Sequence, residues 1–295
     1  MVALPRGGGA AAAPRRRGFR ARDGLRLSAL EWEGPEGATP LLCLPGVART
    51  SLDFGAVAAR QARARRVVAL DYAGHGESER PEDPARYGVD WALRDVADAA
   101  AALHLHRVVL IGTSFGGMLA MVLAVLRPTL LAAVALNDIG PRLEPGGLDG
   151  PLAVIGRDPA FAEEADAVAF LRSALPPLGL DEAGWRDMAA RTYARGADGR
   201  LHPRWDTRIA GAVAAAAADG AAMDLWPAFG ALAHVPLLLV WGQESALLSA
   251  NTVRLMREAR PDMALATLPG IGHAPTLAEP AAAEALDRFL ASAAP

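Results

Sequence analysis

Leu110-Ile111-Gly112-Thr113-Ser114-Phe115-Gly116-Gly117 places a G-x-S-x-G sequence between an apolar run and a helix-forming run. Arg107 to Ile111 is short, apolar and rich in β-branched residues, as a buried parallel strand should be. Met118 to Leu126 has helical composition with neither Gly nor Pro. Strand, tight turn and helix are the context of a nucleophile elbow, in which a strained turn pushes a serine hydroxyl out above a sheet. Gly112 and Gly116 stand where a side chain would collide with the neighbouring strand or helix. Ser114 is therefore the candidate nucleophile.

Working towards the N-terminus, Pro40 to Leu44 reads as another buried strand, ending in Pro45-Gly46-Val47-Ala48. A glycine at a strand end lets backbone approach something closely. Beside an elbow, that is a substrate oxygen, so the Val47 and Phe115 N–H groups are the candidate oxyanion hole. The Phe115 amide would also sit at the positive end of the elbow helix. Arg66 to Leu70 is a further apolar run, followed by Asp71-Tyr72-Ala73-Gly74-His75-Gly76-Glu77-Ser78. His75, between two glycines in this turn, reads as a hydrogen-bonded strut rather than a base. Phe19 to Glu31 alternates as two antiparallel strands around an Asp23-Gly24 turn. Residues 1–17, rich in Gly, Ala and Arg, are expected to form a disordered tail. The successive strand and helix patterns imply a mostly parallel sheet with right-handed crossovers.

Composition narrows the chemistry. The chain has 295 residues and a formal net charge of −3, which argues against a nucleic-acid partner held in a basic groove. Lysine is absent, so all 30 basic side chains are arginine and no lysine base, Schiff base or phosphate-loop lysine is available. Cys43 is the only cysteine, which excludes an internal disulfide and a cysteine-based metal centre. No apolar run approaches the roughly 20 residues of a membrane span. The reading is of a soluble, cytoplasmic protein acting on a small-molecule acyl substrate, with no cofactor and no metal.

Four ordered motifs carry a resemblance that covers about residues 19 to 291: Leu44-Pro45-Gly46, the turn from Asp71 to Ser78, Gly112 to Gly117, and Gly270-Ile271-Gly272-His273-Ala274-Pro275. With them the chain resembles the α/β-hydrolase family. The resemblance implies a mostly parallel eight-stranded sheet flanked by helices, with a serine nucleophile, a histidine base and an oxyanion hole above it. His273, on the glycine-rich loop after the last strand, is the matching base. Members that use an aspartate nucleophile are set aside by Ser114.

Residues 141–222 read differently, as helices without strands: Ala162 to Leu175, Asp181 to Tyr193 and Thr207 to Ala218. In this fold such an insertion after the sixth strand implies a helical lid, with 18–140 and 223–295 forming the core. Trp185, Trp205, Trp226, Phe170 and Tyr193 are candidates to line a pocket beneath it.

The chain departs from the family at the acid. Related hydrolases commonly present an aspartate where this sequence has Ala246, in the loop Gly242-Gln243-Glu244-Ser245-Ala246. A carboxylate there would fix the imidazole tautomer and stabilise the imidazolium. Glu244 on the same loop, or Asp138 at the end of another strand, could supply it, but the leading expectation is a site impaired by loss of its acid at Ala246 and therefore slow. The expected function is serine-dependent hydrolysis of a small, largely apolar carboxylic ester through an acyl-enzyme. The alternatives are C–C bond hydrolysis of a vinylogous diketone, which needs polar groups under the lid, and a ligand-binding pseudo-enzyme or inactivated variant.

Overall fold

A computed structural model describes residues 13–144, 146–147, 149–218 and 224–293. Strands β1 (Arg15–Arg20) and β2 (Arg26–Trp32) form the expected hairpin. They are followed by β3 (Leu41–Leu44), β4 (Val67–Asp71), β5 (Val108–Thr113) and β6 (Leu131–Asn137). A separate two-stranded hairpin, β7 (Tyr193–Arg195) and β8 (Leu201–Pro203), precedes β9 (Leu237–Gly242) and β10 (Ala264–Leu268). The main sheet has eight strands in the order β1-β2-β4-β3-β5-β6-β9-β10, and only β2 runs against the others.

Side-chain alternation along the central strands builds two cores. Leu42, Leu44, Val68, Leu70 and Leu110 point to one face, and Leu41, Cys43, Val67, Ala69 and Ile111 to the other. Helix α1 (Gly55–Gln61) packs on the second face, while α2 (Val89–Ala102) and the elbow helix α3 (Phe115–Leu126) pack on the first. Between β6 and β9 lie α4 (Asp149–Ile155), α5 (Glu164–Ala174), α6 (Glu182–Thr192) and α7 (Ile209–Ala218). The short α8 (Trp226–Gly230) returns the chain to the first face, against α3, α9 (Ala250–Ala259) lies on the same face, and α10 (Pro280–Ala293) closes the second.

Two expectations are corrected. Arg15 to Arg17 belong to edge strand β1, not to a tail. Their backbone pairs with β2, and their side chains meet Glu33, Asp71 and Glu31 at 2.6, 2.7 and 3.3 Å. Charge and ladder bonds hold this segment where apolar packing could not, and arginines on an edge strand also discourage pairing with another chain. Residues 1–12 lie outside the described residues. The segment from 141 to 222 is not purely helical either: the Gly196 to Gly199 turn closes the β7–β8 hairpin, with Gly196 N–H donating to the Arg200 carbonyl at 2.7 Å. The three helices expected there all form, within three residues of the expected ends. Among the described residues no helix is long and apolar enough to cross a membrane.

Candidate active site

Ser114 sits between β5 and α3 at φ 50° and ψ −113°, a backbone conformation unfavourable for any residue with a Cβ. Glycine makes the turn sterically accessible. A Cβ on Gly112 would come within 2.5 Å of Gly116 backbone, and one on Gly116 would overlap the Leu44 carbonyl of β3.

β6 lies beside β5 in parallel register, with Thr113 opposite Asn137, and Ser114 N–H donates to the Asn137 carbonyl at 3.0 Å. The residue after each strand therefore emerges at the same end of the sheet, Ser114 from one and Asp138 from the other. Asp138 is fully buried and its φ is 54°. Its Oδ1 accepts from Gly242 N–H at 2.9 Å, at the end of β9, and its Oδ2 lies 2.7 Å from His273 Nδ1. His273 Nε2 in turn lies 2.9 Å from Ser114 Oγ. With the ring proton on Nδ1 donated to Asp138, Nε2 is left to accept from the serine hydroxyl.

The structure thus pairs His273 with Asp138, not with Glu244. The Glu244 side chain is exposed, and the residue contributes a backbone N–H to the Ile271 carbonyl at 2.9 Å. Ala246 lines the cavity, and no carboxylate is needed there for the imidazole to have a partner. A site without an acid facing His273 is not what the structure describes.

Asn137, which the sequence reading passed over, steadies the histidine loop: its Nδ2 donates to the Pro275 carbonyl at 2.8 Å and to Thr113 Oγ1 at 3.0 Å. Its signal was its place directly before Asp138, legible only once β6 is set against β5.

The turn from Asp71 to Ser78 supports the loop that carries Val47. Tyr72 hydroxyl donates to the Pro45 carbonyl at 3.0 Å, and His75 Nε2 accepts from Ala48 N–H at 3.2 Å while its Nδ1 donates to the Ala73 carbonyl at 2.9 Å. Burial pushes the His75 imidazole down to about 4, which keeps it neutral and able to accept at Nε2. His75 is a strut, as its sequence context implied. Asp71, whose carboxyl is pushed up by burial, accepts from Ser51 N–H at 2.7 Å and ties this turn to the residues after the loop. Gly46 faces the nucleophile: a Cβ there would lie 3.6 Å from Ser114 Cβ. Val47 borders the cavity, and the Phe115 amide is in the first turn of α3, where intrahelical acceptors are lacking.

Ser114 and His273 open onto a cavity of about 480 Å³. One wall is core; the other comes from residues 146–205, including Ile155, Leu171, Leu178 and Trp205. Of the five aromatic candidates only Trp205 reaches the cavity, anchored by its Nε1–H to the Ile155 carbonyl at 2.8 Å. Phe170, Trp185 and Tyr193 pack in a small core shared by α5, α6 and β7, and Trp226 packs on the main core.

A serine on a strained strand-to-helix turn, a histidine and a buried aspartate in hydrogen-bonded series above a parallel sheet define a protein of the α/β-hydrolase class. The chain belongs to the alpha/beta hydrolase family, whose model matches residues 41–286. It is 32% identical over 276 residues to the 3-hydroxybutyrate-oligomer hydrolase of Cupriavidus necator, covering 91% of this chain and 94% of that one. Similarity to the 2-(acetamidomethylene)succinate hydrolase of Mesorhizobium japonicum is 29% over 240 residues, or 81% and 83% of the two chains. The crystal structure of an alpha/beta hydrolase from Novosphingobium aromaticivorans superposes with a TM-score of 0.89 at 37% identity, over 96% of this chain and 99% of that one.

Proposed function

We propose that the protein hydrolyses a carboxylic ester through an acyl-enzyme. The reading is carried by the continuous series Ser114 Oγ, His273 Nε2, His273 Nδ1 and Asp138 Oδ2, with separations of 2.9 and 2.7 Å. Ser114 attacks the acyl carbonyl carbon as His273 Nε2 takes its proton. Val47 and Phe115 N–H groups stabilise the oxyanion that forms. The intermediate collapses when His273 returns the proton to the departing alkoxide, and a water activated by the same imidazole then releases the acid. Asp138 holds the imidazole in the tautomer this requires and stabilises the imidazolium. On this reading the triad is complete and Ala246 costs nothing.

Ester chemistry is supported by the relative whose name specifies an oligomer of a hydroxy acid, since such units are joined by ester bonds. The wall formed by residues 146–205 acts as the lid that closes the cavity. C–C bond hydrolysis is the second reading. It is favoured by one observation, that arginine side chains line the cavity and could hold a charged substrate.

The test is a fluorophosphonate probe together with a 4-nitrophenyl ester. The parent protein should be labelled and should turn the ester over, and Ser114→Ala should do neither while keeping its fold, because Ala fits wherever Ser fits. Labelling and turnover undiminished in Ser114→Ala would remove Ser114 from the mechanism. A parent that does neither would leave a ligand-binding protein without this activity.

A further inference from the structure

Arg49, Asp53 and Arg191 line the cavity, and apart from the titratable His273 they are the only ionisable side chains among its described lining residues. Arg49 is tightly held: its Nε and Nη2 donate to the two Asp53 oxygens at 2.6 Å each, and its Nη1 donates to Thr192 Oγ1 at 2.7 Å. Arg191, on the last turn of α6, makes longer contacts, its Nε donating to the Asp187 carbonyl at 3.4 Å. Its Nη1 is 3.5 Å from the already shared Asp53 Oδ1, and its Nη2 pairs at 3.0 Å with Asp187, whose side chain is 67% exposed. Two guanidinium groups therefore meet at Asp53 beside a largely apolar chamber, with Asp187 as a second, more exposed partner of Arg191. The pair of Arg191 with the largely exposed Asp187 contributes little, so most of the Arg191 charge stays available to an anion in the cavity.

We infer that Arg191, backed by Arg49 and Asp53, receives a carboxylate of the substrate, so that the ester hydrolysed is an anionic one with an apolar body. This rests on the ester-hydrolase reading of Ser114. Asp53 takes two bonds from Arg49 and so keeps that guanidinium oriented, while Arg191 retains donors for a planar carboxylate, which a guanidinium can bind with two parallel N–H bonds. The apolar lining of the cavity, with Met188 and Leu178 among it, suits the methylene body of such a substrate. Arg191 lies on α6 and Arg49 two residues after Val47, so the anion would also bridge the helical wall to the loop beside the nucleophile.

The test compares esters that differ only in charge. Mono-4-nitrophenyl adipate is set against its isosteric primary amide, which varies charge on the acyl side. The 4-(butanoyloxy)butanoate ion is set against its primary amide, which varies it on the alcohol side. In at least one pair the parent should prefer the carboxylate by tenfold or more in kcat/KM, chiefly through KM, and 0.5 M NaCl should reduce that preference. Arg191→Gln should bring the ratio close to one, and Arg191→Lys should restore part of it. Equal rates within twofold in both pairs of the parent, or a ratio unmoved by Arg191→Gln, would overturn the inference while leaving the ester-hydrolase reading intact. No turnover of any of the four compounds, with no fluorophosphonate labelling, would overturn both. If Arg191→Gln fails to fold, the preference of the parent and its salt dependence still decide the matter.

Discussion

The loops at the ends of β5, β6 and β9 and the helical wall over them are built on different terms. Ser114 and Asp138 emerge from adjacent strands in fixed register, and Asp138 is fully buried with hydrogen bonds on both oxygens. The wall has its own small core around Val168, Leu171, Trp185 and Met188, and it meets the rest through an apolar contact of Ile155, Trp205 and Ile209 with Ala48 and through individual polar ties. Among these are Arg49 to Thr192, Gly76 N–H to the Arg204 carbonyl at 2.7 Å, and Tyr87 hydroxyl to Asp206 at 2.7 Å. The reacting groups are thus set by the central strands of the sheet. What they meet is set by a part with a small core of its own.

The largest test of this contrast is Asp138→Asn. Gly242 N–H would still find an amide oxygen, but the amide NH2 would turn towards His273 Nδ1, and Nε2 would then carry the proton that faces Ser114. By analogy with serine proteases, kcat for a 4-nitrophenyl ester should fall about four orders of magnitude. Glu244→Gln should stay within twofold. If the two results were exchanged, the acid would belong to the β9 loop and not to β6.

Gly116→Ala attacks the fold rather than the chemistry. Its methyl group would meet the Leu44 carbonyl, and because β3 is buried on both faces the clash has no soft side chain to absorb it. A loss of more than about 3 kcal/mol in urea unfolding is expected. A small loss would mean that the elbow is less tightly built than the contrast requires.

His75 sharpens the comparison from its supporting side. Burial lowers its pKa from the ordinary 6.5 to about 4, so folding favours the neutral ring. The resulting stability is present above pH 6.5 and is lost as the pH falls from there towards 4, by about 3 kcal/mol at most. His75→Gln offers Ala48 and Ala73 the same acceptor and donor without a titration. Urea unfolding of the parent should therefore lose more stability over that range than the variant does. Parallel pH curves would show that His75 is not the neutral strut described.

The smallest expected effect concerns the wall. Limited proteolysis should cut first at the Gly196 to Gly199 turn, which projects from the β7–β8 hairpin, and a covalent inhibitor on Ser114 should slow that cut a fewfold. Equal rates with and without inhibitor would mean that the wall does not respond to occupancy of the cavity.

Apart from the Arg15 to Arg17 part of β1, the sequence alone determined the strands of the main sheet, the elbow at Ser114 and the histidine loop, because each is written in a contiguous signal: an apolar run, glycines at fixed spacing, a glycine-rich turn. It also determined the three longer helices of the wall. It did not determine the partner of His273, since Asp138 and Glu244 each follow a strand and nothing local distinguishes them. Only the order of strands did, by placing β6 between β5 and β9 and letting Gly242 hold the Asp138 carboxylate. In the same way Arg15 to Arg17 form a strand because carboxylates distant in sequence lie beside them. The Arg49, Asp53 and Arg191 group likewise exists only where α6 comes down on the Val47 loop. Short-range periodicity records what a segment buries; pairing between charges and polar groups far apart in the chain is fixed by the fold that brings them together.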